Sequence, residues 1–357
     1  GIRPIMITGD QLDTAVAIAK ELGIIENEDE AILGARLDEL SDDELIANIG
    51  TYSVYARVQP EHKVRIVKAW QANQMITAMT GDGVNDAPAI KCADIGVGMG
   101  ITGTDVTKNV ADMILADDNF ATIVSAVEEG RRVYANIRKA IQFLLASNIS
   151  EVLAILIATL LSFTILKPVH ILWINLITDS LPALALGLEL GEKDSMKRKP
   201  RQSDEGVFSG GLGFDTLYQG VFITILILSA YFIGHYMESG VFEITNSKDG
   251  ITMAFLTMSM CEIFHSFNLR SRVNSIFTLE HQNWWLWMSA GIALLLTTLV
   301  ITVDPLASLF EFTEVTLKEY SIAMLLAVMI IPLVEIVKAI KRNGTYRELD
   351  FRENRSN

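Results

Sequence analysis

The chain has 357 residues, half of them hydrophobic, and a formal net charge of −14 at pH 7. This length is enough for at least two domains, and the positive mean hydropathy is unusual for a soluble protein. The acidic balance argues against nucleic acid as a partner, and two distant cysteines, Cys92 and Cys261, argue against a disulfide framework or a zinc site.

The N-terminal segment predicts a strand over residues 5–7, which ends in Thr8-Gly9-Asp10 and precedes a helical pattern over 15–22. An acidic glycine turn between a strand and a helix is typical of the carboxyl edge of an open α/β sheet, where such folds bind ligands. Because the chain opens within this strand pattern, and without Met, we expect it to be a piece of a longer protein.

Residues 37–48 predict an exposed, acidic helix with a solvated face, and residues 55–58 predict another strand. Pro60-Glu-His-Lys63 then opens a helix over 64–72. A lysine in the first turn lies at the unfavourable end of the helix dipole. Lys63 would have a reason to be there if it pointed inward at a phosphate rather than at water.

Residues 75–79 predict a buried strand that delivers the acidic loop Thr80-Gly-Asp-Gly-Val-Asn-Asp86. Two close carboxylates, Asp82 and Asp86, are costly together unless a cation neutralises them, and hard oxygen ligands beside a phosphate suit Mg²⁺. For a lone Gly-Asp-Gly, an Asx-rich turn without chemistry is the alternative. Residues 95–100 and 113–115 predict two further strands.

Residues 120–143 predict a long amphipathic helix that continues without a breaker into an apolar segment. We expect this helix to be a stalk that couples a soluble domain to a membrane, with a passive linker as the alternative. The expected apolar stripe consists of Ile123, Val127, Val133, Ile137 and Ile141, and the basic residues expected elsewhere are Arg131, Arg132, Arg138 and Lys139.

Six segments match membrane helices of about 17–25 residues. They are residues 143–165, 170–190, 214–237, 251–269, 284–303 and 319–338. Lys and Arg are concentrated in loops 191–212 and 270–283 and in the C-terminal tail, which is expected to be disordered over 347–357. The other side carries only Lys167, Lys248 and Lys318, so the soluble domain and the tail are predicted to be cytoplasmic.

Polar residues interrupt the first two predicted spans. Asn148 and Glu151 share one face of the first, and Asn175, Thr178 and Asp179 share one face of the second. Intramembrane carboxylates are costly and therefore functional candidates. Two carboxylates with amide and hydroxyl oxygens suit a hard cation, and Ca²⁺ fits best. An interhelical hydrogen-bond cluster is the alternative.

Pro182 follows these residues in the second predicted span. A proline there is expected to break or kink the helix and to free backbone carbonyls beside the polar residues.

Thr80-Gly-Asp-Gly-Val-Asn-Asp-Ala-Pro88 resembles the hinge motif of P-type cation-transporting ATPases, and the rest of the chain is similar to them in order and spacing. The closest resemblance is to calcium pumps of the sarcoplasmic-reticulum and secretory-pathway kind. It implies an α/β haloacid-dehalogenase-like (Rossmannoid) partial phosphorylation domain over 1–119 and a stalk helix over 120–142. An α-helical membrane bundle of six transmembrane helices would follow over 143–340, with a cytoplasmic tail over 341–357.

The resemblance also implies roles for the acidic loops. Mg²⁺ would be held through Asp82 and Asp86, with Asn85 and Asp86 organising the loop. Lys63 and Thr8 would stabilise the transferring phosphoryl group, and Thr8-Gly9-Asp10 would lie beside that group and ATP. The positions matching the family's Ca²⁺-binding spans are Asn148, Glu151, Asn175, Thr178 and Asp179.

The chain departs from the family pattern in two respects. It contains no Asp-Lys-Thr-Gly-Thr nucleophile motif, no TGES phosphatase motif, no nucleotide-binding domain and no first four spans, so alone it is expected to be inactive. Two-calcium pumps carry a Glu before Met-Cys, where this chain has Ser259. Either Glu262 replaces that acid, or the first site is weakened and one ion is carried. The alternative role for Glu262 is pairing with Arg270, and His265 is expected to be a satisfied interface residue.

The sequence thus predicts the C-terminal part of an ATP-driven pump that moves Ca²⁺ across a membrane through an aspartyl-phosphate intermediate. The lipid bilayer and the missing N-terminal part of the same pump are its expected partners. One alternative is a P-type pump for Mn²⁺, Na⁺ or Na⁺/K⁺ exchange. Another is a catalytically inert membrane protein that acts as a binding partner. Plasma and internal membranes both fit.

Overall fold

The computed structural model describes residues 2–192, 195–197, 200–201 and 205–353, with side chains described as far as Asn343. The described residues form two compact units. The first takes those of 1–130 and 193–205, and the second takes those of 131–192 and 206–353. The division therefore falls inside the predicted stalk helix.

The first unit contains two three-stranded sheets of parallel strands. One has the order β1-β3-β2, from β1 (Met6–Thr8), β2 (Ala31–Leu33) and β3 (Val54–Ala56). The other has the order β4-β5-β6, from β4 (Ala78–Gly81), β5 (Ile95–Met99) and β6 (Met113–Leu115). β1 and β4 are therefore edge strands, each with one side unpaired in the described part of the chain.

Helix α4 (Pro60–Ala72) contributes to the cores of both sheets. Ile66 packs with Tyr55 and Leu37 in the core of the first sheet. The next residue, Val67, packs with Met79 in the core of the second. The other helices of this unit are α1 (Leu12–Glu21), α2 (Gly34–Glu39), α3 (Asp42–Asn48), α5 (Ala87–Cys92) and α6 (Asp105–Val110).

Two predicted boundaries in this unit are wrong. The acidic helix predicted over 37–48 is divided, because Ser41 starts α3 with a capping box: its hydroxyl accepts from Glu44 N and its N–H donates to the Glu44 carboxylate at 2.9 Å. The strand predicted from residue 75 starts at Ala78, and Met75 and Ile76 are exposed. The chain leaves α4 through a left-handed turn at Gln74, so the residues just after it form a connection instead of entering the sheet.

The second unit is helical. Helix α7 (Ala121–Leu160) crosses the boundary between the units unbroken, and α8 (Pro168–Trp173), a π-helical segment (Ile174–Asp179) and α9 (Ser180–Gly187) follow. The remaining helices are α10 (Leu212–Ser239), α11 (Lys248–Asn268), α12 (Trp284–Thr302), α13 (Asp304–Leu309), α14 (Leu317–Val328) and α15 (Ile330–Glu353).

Five helical segments in the described ranges are long and apolar enough to cross a membrane, instead of the six predicted. They are Ala121–Leu160, Pro168–Gly187, Leu212–Ser239, Trp284–Thr302 and Leu317–Asn343. The predicted span 251–269 is α11, which carries Glu262 and His265 and is buried along almost its whole length. Neighbouring helices, chiefly α10 and α14, cover it, so it tolerates polar side chains that a lipid-facing helix would not.

The continuity predicted for the stalk helix agrees with α7, but the predicted apolar stripe does not. Val133 and Ile137 are 46% and 48% exposed, whereas Asn136, Lys139 and Gln142 are buried. The Asn136 side-chain amide donates to two backbone carbonyls, that of the last residue of α9 (Gly187) at 3.2 Å and that of Glu189 just beyond it at 2.7 Å. Carbonyls at the end of a helix need donors, so the packed face is polar here.

The C-terminal tail is helical where it was predicted to be disordered, because α15 continues to Glu353. Residues 354–357 lie outside the described residues. The same is true of three basic residues of the predicted loop 191–212, namely Lys193, Arg198 and Lys199.

Candidate functional site

The loop after β1 forms a compact acidic turn. The Thr8 hydroxyl donates to Asp10 Oδ2 at 3.0 Å and accepts from Asp10 N at 3.1 Å. Gly9 and Asp10 are exposed. The backbone carbonyl of Asp10 accepts from Arg57 N at 3.1 Å, which joins this turn to the end of β3. The Thr8-Gly9-Asp10 turn is therefore fixed in shape and open to solvent.

Lys63 connects the first turn of α4 with the loop after β4. Its ammonium forms an ion pair with Asp86 Oδ1, and both side chains are largely buried. The other Asp86 oxygen accepts from Gly83 N at 3.2 Å. Asp82 and Asn85 are exposed. The structure thus brings Lys63 to Asp86 and leaves Asp82 facing solvent, whereas the sequence analysis placed the two aspartates together.

Of the two aspartates expected to bind Mg²⁺, only one is available as a ligand. In the described ranges, no three His, Cys, Asp or Glu side chains gather closely enough to hold a metal ion. Mg²⁺ commonly takes one or two protein carboxylates and completes its shell with water and phosphate. The exposed Asp82 carboxylate matches that donor set, whereas the Asp86 carboxylate is already neutralised by Lys63.

Gly81, at the end of β4, leaves space that Asp86 fills. A Cβ at Gly81 would lie 2.4 Å from Asp86 Cβ and 2.8 Å from Asp86 Oδ2. We expect Gly81→Ala to displace Asp86 from Lys63 and to lower the free energy of unfolding by about 1–3 kcal/mol, as overpacking does. Denaturant unfolding of the detergent-solubilised chain measures this loss. Gly50→Ala is the control, because its Cβ would meet nothing within 4 Å; equal losses would contradict the prediction.

A second cluster of acidic side chains lies in the helical unit, around Glu262 on α11. Glu262 is fully buried, and its carboxylate accepts from the Ser147 hydroxyl on α7. The Thr178 hydroxyl in the π-helical segment lies 2.6 Å from the other Glu262 oxygen. Glu262 thus joins three helical segments at one point.

Glu151 and Asp179 flank this point. The Asn175 amide donates to Glu151 at 3.2 Å. Asp179 is 1% exposed, and neither of its carboxylate oxygens has a hydrogen-bond partner in the described part of the chain. A buried carboxylate without a partner is costly, so this arrangement is suited to an added cation.

The backbone of this cluster differs from the break predicted at Pro182. Residues Ile174–Asp179 widen into a π-helix before the proline, and the helix then continues as α9. The Asn175 carbonyl accepts from the Ser180 hydroxyl at 2.8 Å, so it is satisfied by a side chain. Single π-helical turns within α-helices are frequent at functional sites.

Three other sequence expectations do not match this geometry. Asn148 is exposed, and its amide donates to the Leu144 carbonyl of its own helix at 2.7 Å. Arg270 pairs with Glu189 at 3.1 Å, and Glu262 bonds elsewhere. His265 is buried, but neither ring nitrogen has a partner in the described ranges, so it is not the satisfied histidine that was expected.

The sequence analysis missed Ser147 as a partner in this cluster. Ser147 lies four residues before Glu151, a spacing that places both on one face of α7. This signal was present, but it could not show that Glu262 lies opposite.

Comparisons with known proteins agree with both units. Residues 163–340 match the family model of the C-terminus of cation transporting ATPases, and residues 1–94 match that of haloacid dehalogenase-like hydrolases. Calcium-transporting ATPase 1 of Bacillus cereus is 48% identical over 355 residues, which cover 96% of this chain and 40% of that protein. The chain belongs to the P-type cation-transporting ATPases.

Two other relatives carry similar names. A calcium-transporting ATPase of Bacillus subtilis is 46% identical over 317 residues, covering 88% of this chain and 35% of that protein. Calcium-transporting ATPase 1 of Lactococcus lactis is 43% identical over 347 residues, covering 96% and 38%. The chain thus spans about two fifths of the length of the curated relatives it matches. It combines a haloacid-dehalogenase-like domain with a helical region whose described residues include five candidate membrane spans.

Proposed function

We propose that this chain is the C-terminal part of a pump that uses ATP to move Ca²⁺ across a membrane through an aspartyl-phosphate intermediate. The observation that carries the proposal is the Glu262 cluster. The buried acids Glu151, Asp179 and Glu262 lie near the Asn175 amide and the Ser147 and Thr178 hydroxyls. The three carboxylates are not gathered closely enough to ligate one ion together in the described residues, but both oxygens of Asp179 lack a hydrogen-bond partner there. Oxygen donors with excess negative charge favour a hard cation, and Ca²⁺ accepts six to eight such ligands.

The acidic loops of the first unit support phosphoryl transfer. Asp82 would hold Mg²⁺, which would neutralise charge on a bound phosphate. Lys63 supplies a fixed positive charge beside Asp86 for the transferring phosphoryl group, and Thr8 offers a hydroxyl. Gly9, Asp10 and Asn85 shape the two turns around that group and ATP. The aspartate nucleophile would come from the rest of the pump.

We further propose that α11 is a sixth crossing in the interior of the bundle. Its 21 residues are long enough to span the hydrocarbon core, and its polar side chains are shielded by protein. With six crossings, the concentration of Lys and Arg in loops 191–212 and 270–283 favours a cytoplasmic first unit. Exposed Trp284, Trp285 and Trp287 at the start of α12 suit the membrane interface on the same side.

The test uses the intact pump, with Ca²⁺, Mn²⁺ and Na⁺ titrated separately while acid-stable phosphoenzyme is formed from ATP. Ca²⁺ alone is expected to stimulate it, and Asp179→Asn is expected to abolish that response because it removes one charge from the cluster. Stimulation by Na⁺ or Mn²⁺ but not by Ca²⁺ would identify that ion, instead of Ca²⁺, as the one that is transported. If Ca²⁺ still stimulates phosphoenzyme formation in Asp179→Asn, the cation site is wrongly assigned. If no phosphoenzyme forms, an inert binding partner is the better interpretation.

A further inference from the structure

The first turn of α4, which presents Lys63, is fastened to the neighbouring acidic segment. We call residues 34–48, which comprise α2 and α3, the brace. His62, the residue before Lys63, is buried, and its Nε2 lies 2.7 Å from Asp38 Oδ1 of the brace. Its Nδ1 accepts from Gln59 N at 3.0 Å. With Nδ1 as an acceptor, the ring proton is on Nε2 and faces Asp38.

Arg65 makes a second attachment one turn further along α4. Its guanidinium donates to the backbone carbonyls of Leu37 and Leu40, both at 2.8 Å, and to Asp42 Oδ1 at 2.9 Å. These carbonyls lie at the end of α2, where backbone acceptors lack partners within the helix. Two consecutive turns of α4 are thus bound to the brace by charged or polar groups.

The start of the brace packs tightly against the segment before α4 and against His62. A Cβ at Gly34 would lie 2.4 Å from the Arg57 carbonyl oxygen and 3.0 Å from His62 Nδ1. Arg57 itself has a left-handed backbone, with φ of 51°. The start of α2 therefore fits against the segment that enters α4, and the position of His62 follows from this fit.

We propose that the brace sets the position of the Lys63 ammonium, with His62 as the positioning residue. His62 caps the Gln59 N–H, which orients the first turn of α4, and Lys63 is the next residue in that turn. The Lys63 ammonium reaches across to Asp86 in the loop after β4, so a small rotation of the turn moves it away from that carboxylate. This inference deepens the proposed function, because it assigns a support to its phosphoryl-transfer lysine.

The burial of each side chain sets the expected change in the rate of phosphoenzyme formation. Asp38 is 65% exposed, so its pairing with His62 is partly screened, and Asp38→Ala should slow phosphoenzyme formation several-fold. His62→Ala removes the cap as well, and misplacing a catalytic group by about 1 Å costs about 100-fold. His62→Asn should recover part of the rate, because its side-chain oxygen can accept from Gln59 N. The ATP and ion concentrations for half-maximal response should be unchanged.

The direct test observes Lys63 in the whole chain. The lysines are ¹³C-dimethylated, and the Lys63 resonance is assigned by its loss in Lys63→Arg. In His62→Ala and Asp38→Ala, that resonance should move towards the position of the exposed lysines. Glu39→Ala is the matched control: Glu39 is the neighbour of Asp38 and pairs with Arg36 on α2 instead of with α4. Its Lys63 resonance should match that of the unmodified sequence.

An unmoved Lys63 resonance in Asp38→Ala overturns the proposal, and it does so whether or not the pump transports Ca²⁺. Because Asp38 lies at the surface, this variant carries the test even if His62→Ala fails to fold. An equal displacement in Glu39→Ala also overturns it. A displaced resonance, together with an intact pump that forms no phosphoenzyme, supports the brace and rejects the proposed function.

Discussion

Glu262→Gln in the intact pump is expected to raise the concentration of Ca²⁺ that half-activates phosphoenzyme formation by about 100-fold or more. Glu262 is where α7, the π-helical segment and α11 meet, through Ser147 and Thr178. Removing one partner from a buried charged arrangement costs about 3–5 kcal/mol, and about 1.4 kcal/mol corresponds to a tenfold change in affinity. Glutamine keeps the shape and one acceptor oxygen, but it removes the charge and replaces the second acceptor with an amide donor. The measurement is phosphoenzyme formation as a function of Ca²⁺ concentration.

The control for this prediction is Glu314→Gln, which removes an acid from the exposed loop before α14. Its Ca²⁺ response should be unchanged, because an exposed carboxylate is hydrated and screened. If Glu262→Gln also responds normally, Glu262 is not part of the cation site. Its contacts with Ser147 and Thr178 would then be interhelical hydrogen bonds, which was the alternative for the polar residues of these helices.

Lys63→Ala is expected to slow phosphoenzyme formation by about 10²–10³-fold in the intact pump. Removing one preorganised group that stabilises charge in the transition state commonly has an effect of this size. The change also leaves Asp86 without its ion-pair partner in a largely buried position, which adds charge beside the phosphate. The rate should be measured by rapid mixing with ATP at saturating Ca²⁺, so that ion binding does not limit it.

Lys68→Ala is the matched control, since Lys68 lies on the same helix and is exposed. It should leave the rate within about twofold, because surface substitutions rarely change stability by more than about 0.5 kcal/mol. Lys63→Arg should recover part of the rate, because it keeps the charge but not the compact ammonium. Equal rates for Lys63→Ala and the unmodified pump would show that Lys63 does not act on the transferring phosphoryl group.

The parts of the fold that depend on nearby residues could be predicted from the sequence. The strand and turn ending at Asp10, the strand at Met113–Leu115 and the unbroken helix through the predicted stalk are examples. Each is specified by local periodicity and by turn residues next to it in the chain. Residues 37–48 were predicted as one helix but belong to two, although the capping box of Ser41 and Glu44 is visible in the sequence.

The direction of side chains on membrane helices was less predictable. Asn148 and Glu151 are three residues apart, but only Glu151 faces the cluster, because a spacing of three leaves the two side chains about 60° apart around the helix. The partner of Glu262 depends on which helices meet in three dimensions. Neither hydrophobic periodicity nor motif resemblance contains that information, so the structure was needed to show that Arg270 pairs with Glu189 and that Glu262 has other partners.

The acidic residues of the brace illustrate a different limit. A run of acids on a short helix is normally a solvated face, and the side chains of Asp38 and Asp42 are indeed largely exposed. Their function becomes visible only through His62 and Arg65, which lie more than 20 residues later in the chain. Composition alone cannot distinguish an acid that meets water from an acid that also meets a neighbouring helix.

The π-helical segment Ile174–Asp179 has a consequence for how this helix tolerates changes in chain length. In a regular α-helix, one added or deleted residue rotates everything beyond it by about 100°. A π-helical turn is the exception, because it already holds one residue more than an α-helical turn of similar rise. Deleting one residue here would yield a continuous α-helix and change which side chains face the cluster, while α9 kept its orientation. Gain or loss of a single residue is thus an evolutionary route to a different set of side chains at this position without a change of fold.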